Sequence, residues 1–392
     1  MAKISMVEYQ GRCDRDGKAV GHGPKVLKEY YNFIEKNNDV KIYAPQVIID
    51  SLKASLVAGQ PVDSDKGSLP ANQCGNADAG SSLTTPDDGS SNRDYDISLL
   101  SEQIVMTSGK SFFKRLSEKM GMFKNIKAAV KNNDSDFIWF FNVEYYLMLY
   151  IFLHKKIRSK VICTFFLDGY HNGFVGKVKQ WVFEKAQKKI DLIIATGPIL
   201  KFKNCKTVYV PDYYYIPEKY DALRNNPKEE KAVCLGTMNS GKQLEDMVEA
   251  FNKTGYPLYI AGRFFDKDRC QRLKDMAADN ITIEDRYLSD KEYLDIISKA
   301  KYTVLPYNPT QYNRQTSGVM QEAVFTGSIV VTYDDILKGN KVPGIGFSSW
   351  SELSEDMLKK ADAAGVTEEY NELINSVFSF DSIKEKYNEI FS

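Results

Sequence analysis

The chain has no net charge: 52 lysines and arginines balance 52 aspartates and glutamates over 392 residues. A balanced chain carries no global field, so charge names no partner class. Cysteine is sparse and scattered, at Cys13, Cys74, Cys163, Cys205, Cys234 and Cys270, with no C-x-x-C pair. That spacing excludes a disulfide framework and fits reduced, buried thiols of a cytoplasmic protein. Only three histidines occur, His22, His154 and His171. No His/Cys/Asp cluster has metal-ligand spacing, so no metal is expected. The N-terminal "MAKISMVEY" lacks the apolar core of a signal peptide and reads as a strand. One long apolar run exists, "FIWFFNVEYYLMLYIFLHKK" at 137–156, but Asn142 and Glu144 interrupt it. It reads as a buried strand followed by a buried helix, not as a membrane span.

What is present suits a globular chain of more than one domain. Hydrophobic residues make up 43% and charged residues 27%, enough for a sizeable core. Short β-rich runs alternate with helical patterns. In the first half they are "KISMVEY", "DVKIYAP", "FIWFFN", "KVICTFFL", "DLIIATG" and "TVYVPDYYY"; in the second, "KAVCLG", "YPLYIAG", "ITIED", "YTVLPY" and "SIVVTY". Helical patterns at 24–36, 175–189, 242–253 and 289–300 lie between them. Near-continuous apolar strands alternating with helices predict parallel sheets covered on both faces. Two such series predict an α/β chain of two Rossmann-like domains joined near 216–230, "IPEKYDALRNNPKEE". Segment 58–94 is rich in Gly, Ser, Asp, Asn and Pro, and is expected to be a mobile loop of the first domain. It is either a plain insertion or a loop that closes over an acceptor.

In open α/β sheets ligands bind beyond the carboxyl ends of the strands. After "KAVCLG" come Gly236, then Ser240, Gly241 and Lys242, expected to open a helix. Arg263 follows "YPLYIAG"; Arg286, Tyr287 and Leu288 follow "ITIED"; Arg314, Ser317, Gly318 and Glu322 follow "YTVLPY". Cations and a helix mouth at one sheet edge favour an anion such as a diphosphate. Glu322, one turn inside its helix, is suited to accept ribose hydroxyls. Each residue alone has a plainer reading: a solvated lysine, a surface ion pair, a capping carboxylate.

The order "LG…SGK", "IAGR", "ITIEDRYLSDKEYLDIISKAKYTVLPY" and "SGVMQEAVFTGSIVVT" resembles the C-terminal domain of retaining GT-B glycosyltransferases, the group with a Glu-x7-Glu motif. The resemblance covers about 230–335 and is weak before it. It implies a GT-B fold, with two Rossmann-like domains whose parallel sheets face across a cleft. Glu322 matches the second motif glutamate, which contacts the donor ribose. Lys242 matches the basic residue that grips the diphosphate, and Ser317 and Gly318 match the amide segment over it. Three departures stand out. Arg314 replaces the first motif glutamate, the glycine falls one position late at Gly318, and Thr237 and Met238 occupy the place of a usual arginine.

In the first half, Gly21, His22 and Gly23 precede a helix and match a glycine-rich loop for donor phosphates or acceptor, although a plain turn fits equally. Asp168 and His171 end the "VICTFF" strand near where the family carries a histidine facing the reaction centre. Segment 110–189 holds sixteen Lys or Arg against six Asp or Glu, with aromatics interleaved. Either its helices are solvated, or they dock on an anionic leaflet through Phe112, Phe113, Phe123, Trp181 and Phe183. No nucleic-acid motif accompanies this charge.

The residues and the resemblance together predict a glycosyltransferase taking a UDP- or GDP-linked sugar to a glycan or lipid-linked acceptor, with the retention of configuration that the resemblance implies and with Asp168, His171 and Arg314 as the catalytic candidates. The acceptor-binding domain is expected at 1–218, the nucleotide-sugar domain at 219–376, and a helix crossing back to the first domain at 377–392. The enzyme is expected in the cytoplasm, either free or peripheral at the inner face of the plasma membrane. A nucleotide-sugar epimerase and a non-catalytic partner subunit share the same fold and stay open as alternatives.

Overall fold

The computed structural model describes all residues except 14–18, 20–22, 58–94, 106–111, 155, 170–172 and 360–362. The calls on Gly21, His22, His171 and the 58–94 loop therefore lie outside the described residues.

In chain order the strands of the first half are β1 (Lys3–Val7), β2 (Arg12–Cys13), β3 (Asp39–Pro45), β4 (Asp96–Leu100), β5 (Ile104–Val105), β6 (Phe137–Phe140), β7 (Lys160–Phe165), β8 (Leu192–Ala195) and β9 (Thr207–Tyr209). Seven of them form one sheet in the order β4-β3-β1-β6-β7-β8-β9, while β2 and β5 pair separately. The second half supplies β10 (Glu229–Leu235), β11 (Leu258–Gly262), β12 (Ile281–Asp285), β13 (Ala300–Val304), β14 (Ile329–Tyr333) and β15 (Ile345–Phe347). These make a six-stranded sheet, β12-β11-β10-β13-β14-β15, with parallel pairing throughout.

Both strand orders reverse once. The first sheet grows outward from β1 through β3 and β4, then resumes on the other side at β6. The second grows from β10 through β11 and β12, then resumes at β13. A crevice opens at such a reversal because the flanking crossover helices leave on opposite faces. The pairs β1/β6 and β10/β13 are thus the places where each sheet can hold a ligand.

The chain forms two compact units: Met1–Thr164 with Trp181–Leu192 and Phe391–Ser392, and Phe165–Gln180 with Ile193–Ile390. In the first, all four residues of β6 are buried. The apolar run at 137–156 is this strand followed by helix Tyr145–Leu153. Phe391 packs edge-on against Phe137 and tilted against Trp139. Phe183 is in the core and Phe123 packs against Tyr150. These two rings are therefore not the exposed anchors expected of them: each is turned inward by the apolar face of its helix. The Phe112 side chain lies outside the described residues.

In the second unit, Val233, Leu235, Ala261, Leu305 and Val330 pack against Met320, Val324 and Phe325 of helix Gly318–Thr326. Each Val, Leu, Met or Phe side chain among them contributes about 1.5–3 kcal/mol on full burial. Residues 217–224, within the polar stretch read as a junction, form a helix whose Tyr220 joins this core. β4 and β15 are two strands the sequence pattern did not show.

Candidate functional site

The second sheet brings the ends of its neighbouring strands β10 and β11 very close. Gly262 ends β11 at φ +152°, and a Cβ there would stand 1.8 Å from the Gly236 carbonyl oxygen. Gly236 directly follows β10 with φ +95°, a conformation that costs other residues strain. The chain then enters a loop pinned on both sides. The Met238 N–H donates to the Arg263 carbonyl at 2.9 Å, and the Asn308 N–H to the Gly241 carbonyl at 3.1 Å. Arg269, ion-paired to Glu245, donates to the carbonyls of Asn239 and Lys242 at 2.9 and 2.7 Å.

This loop holds Lys242. The sequence placed it at the opening of a helix, but the helix begins later, at Leu244, so Lys242 sits in the preceding loop. Its side chain is only 6% exposed. The ammonium donates to the Leu235 carbonyl at 3.2 Å and lies 3.8 Å from the Met238 sulfur. Among the described residues no carboxylate pairs with it. Burial pushes its pKa below the usual lysine value. A buried ammonium with so little compensation costs stability, and an anion would relieve that cost.

Across the β10/β13 crevice, Lys242 forms a backbone bridge with Tyr307. The buried Tyr307 hydroxyl shares a 2.6 Å hydrogen bond with Ser317 Oγ. Its ring stacks on Tyr312 at 3.8 Å. Ser317 is the N-cap of helix Gly318–Thr326, its hydroxyl accepting from the Met320 N–H at 3.2 Å. A Cβ at Gly318 would come within 3.0 Å of the Tyr213 hydroxyl, so a glycine lets that ring approach the first turn. Glu322, half-buried further along, neighbours the Tyr293 hydroxyl. Burial first, and then the Glu322 charge, hold that phenol well above the usual tyrosine range.

Arg314 and Asp168 also meet. Arg314 Nε lies 2.8 Å from Asp168 Oδ1, and Asp168 is buried. The other carboxylate oxygen accepts the Lys201 N–H at 3.2 Å. The backbones run alongside through a Leu167–Gln315 bridge. The guanidinium is over a third exposed, and no other described acceptor engages its terminal nitrogens.

Other predicted residues stand apart from this group. Arg263 is exposed over the Phe265 ring at 5.5 Å. Arg286 is bound by Glu284 at 2.7 Å and Glu292 at 3.1 Å, with the Tyr259 hydroxyl beside it. Tyr287 is exposed, whereas Leu288 packs against the apolar core. Gly23 opens helix Gly23–Ile34. Tyr307, Tyr293 and Tyr213 were not singled out from the sequence. Twenty-four tyrosines hide them, and only Tyr307, directly after the "YTVLP" run, carries a positional signal.

The described molecule is thus an α/β protein of two parallel sheets, and this is the GT-B fold. No protein-family model and no curated protein sequence matches the chain. Solved structures do. Sucrose-phosphate synthase from Thermosynechococcus elongatus matches with TM-score 0.61 at 14% identity, covering 100% of this chain and 98% of that one. TarM matches with TM-score 0.61 at 13% identity, over 100% and 99%. Anabaena HepE in complex with UDP and glucose matches with TM-score 0.59 at 11% identity, over 100% and 99%. At these identities the likeness is one of fold.

Proposed function

We propose that the chain is a retaining glycosyltransferase that moves a sugar from a UDP- or GDP-linked donor to a glycan acceptor. The observation that carries this reading is Lys242, a buried cation with no carboxylate partner among the described residues, at the β10/β13 crevice beside the helix mouth of Ser317 and Gly318. HepE, of the same fold, has been solved with UDP and glucose, which favours a uridine nucleotide.

In this reading the 219–376 domain holds the donor and the 1–218 domain the acceptor. The Lys242 ammonium and the free N–H groups of helix Gly318–Thr326 take the diphosphate. Both favour the charge that grows as the nucleoside diphosphate departs, so they act most strongly in the transition state. Glu322 accepts the ribose hydroxyls. Arg314, held at Nε by Asp168, turns its remaining fork toward phosphate or sugar. The departing phosphate takes the acceptor proton. An acceptor carried on a lipid fits the exposed apolar residues Phe113, Phe174 and Trp181. Among the described residues no helix is long and apolar enough to cross a membrane, so attachment would be peripheral.

Calorimetric titration with UDP and GDP tests the site. One of them should bind the native protein. Lys242→Met and Glu322→Ala should each weaken it by roughly ten- to a hundredfold, the loss of a charged hydrogen bond of about 1.5–3 kcal/mol. Native-like affinity in both folded variants would remove the proposed site.

A further inference from the structure

Arg314 lies three residues before Ser317, on the segment that leads into helix Gly318–Thr326. It is the only charged residue between Tyr307 and Glu322. The segment is held on two sides. The Arg314 carbonyl accepts the Asp168 N–H at 3.3 Å, and the Thr316 N–H donates to the Phe166 carbonyl at 3.4 Å. A Cβ at Gly197 would stand 2.4 Å from Thr316 Cγ2, so a glycine there admits that side chain. Toward the Lys242 loop, the side chains of Asn239 and Gln315 both reach the Tyr312 hydroxyl. The guanidinium is therefore carried on a fixed backbone. Asp168 stands at its Nε and is 5% exposed, whereas the Arg314 side chain is 37% exposed. A ligand thus meets the terminal nitrogens and not the carboxylate behind them.

We propose that Arg314 selects the sugar of the donor, and that this sugar carries a carboxylate, as a uronic acid does. The inference rests on the reading that this unit binds a nucleotide sugar. Such a donor is linear, with its diphosphate between ribose and sugar. Glu322 lies four residues beyond Gly318, about 6 Å along the helix axis. Ribose at Glu322 and diphosphate at the helix mouth send the sugar the other way, toward the segment that carries Arg314. The phosphates already meet the Lys242 ammonium and the free N–H groups of the helix. A guanidinium only donates, so its full complement is a group that only accepts. A carboxylate presents two such oxygens at the spacing of the terminal fork, and a hydroxyl presents one. A glutamate at this position, as in the resembled family, would repel that carboxylate.

Calorimetric titration compares matched donors: UDP-glucuronate with UDP-glucose, UDP-galacturonate with UDP-galactose, and GDP-mannuronate with GDP-mannose. In the native protein at least one uronate should bind about tenfold tighter than its neutral counterpart, the effect of a charged hydrogen bond. Arg314→Met should erase that preference, and should weaken the uronate about tenfold more than it weakens UDP or GDP. Arg314→Lys keeps a charge against Asp168 and should keep the fold, but with most of the preference lost because the fork is gone. Equal binding within every pair in the native protein overturns the inference and leaves the glycosyltransferase reading standing. A loss in Arg314→Met as large for the bare nucleotide as for the uronate also overturns it, and moves Arg314 to the diphosphate. If no nucleotide or nucleotide sugar binds the native protein, the donor reading falls and this inference with it.

Discussion

Asp168 meets Arg314 Nε at 2.8 Å with its carboxylate almost wholly buried, so a substitution at Arg314 acts on stability as well as on any ligand. In Arg314→Met the carboxylate keeps, among the described residues, the Lys201 N–H. The contact is an ion pair without hydrogen-bond geometry and is partly open to water, which places its worth at about 1 kcal/mol. For units of this size that is about 2–4 °C in Tm. Adding Asp168→Asn should return part of the loss, since the orphaned charge goes with it. Strictly additive melting shifts in the double variant would show that the two groups do not interact. At this scale the sequence exposed Lys242 because a glycine-rich turn after a strand is a visible pattern. It exposed Arg314 and Asp168 separately and could not show them as a pair, because 146 residues separate them. Glu8 passed unnoticed: a carboxylate after a strand ordinarily reads as solvated, and only the packing around it shows otherwise.

Elements were legible where burial on both faces forces an unbroken apolar run, as in β6 and β14. β4 was not, because only one of its five residues is fully buried, leaving no such run. Helix ends were less visible than helix faces. The start at Leu244 depends on Gln243, whose side chain makes no capping bond. Another end is set by Lys228, whose ammonium donates to the Ser298 and Thr326 carbonyls at 2.5 and 2.6 Å, tying the ends of two helices. Burial, and secondly the Arg224 charge, push Lys228 down to about 8. Unfolded, it titrates near its ordinary value of 10.5. Below pH 8 both states hold the proton and this group adds no pH dependence. Between pH 8 and 10.5 the unfolded chain holds more protons, so this group makes stability rise with pH. Urea unfolding of native protein and Lys228→Met at pH 7.5 and 9.5 checks the sign. The native advantage should widen by about 1 kcal/mol after allowance for solvent screening. A constant or shrinking difference would mean that the ammonium keeps its proton throughout.

For the whole molecule, neutrality conceals an uneven distribution. Residues 110–189 hold sixteen basic against six acidic residues while the chain sums to zero. Composition shows this excess but not which rings are free to use it. The structure divides them: Phe183 is buried, whereas Phe174, Val175, Val178 and Trp181 are exposed along helix Gly173–Gln187. Their spacing of one, four and seven residues puts them along one face. Phe113, Leu116 and Met120 do the same on helix Phe112–Asn132. Lys177, Lys185 and Lys188 are exposed on or just beyond the first of these helices. Near an anionic leaflet each such cation would contribute about 1 kcal/mol, and the apolar side chains would enter the headgroup boundary. The protein should therefore sediment with vesicles containing phosphatidylserine, more as the anionic fraction rises and less as salt is added. Trp181 fluorescence should shift to the blue on binding. Phe174→Ser with Val178→Ser should cut sedimentation at low salt without changing Tm, since neither side chain supports the core. Equal recovery in the supernatant with neutral and anionic vesicles at low salt would remove the membrane from the account. The exposed face would then be free to meet a soluble acceptor or another protein.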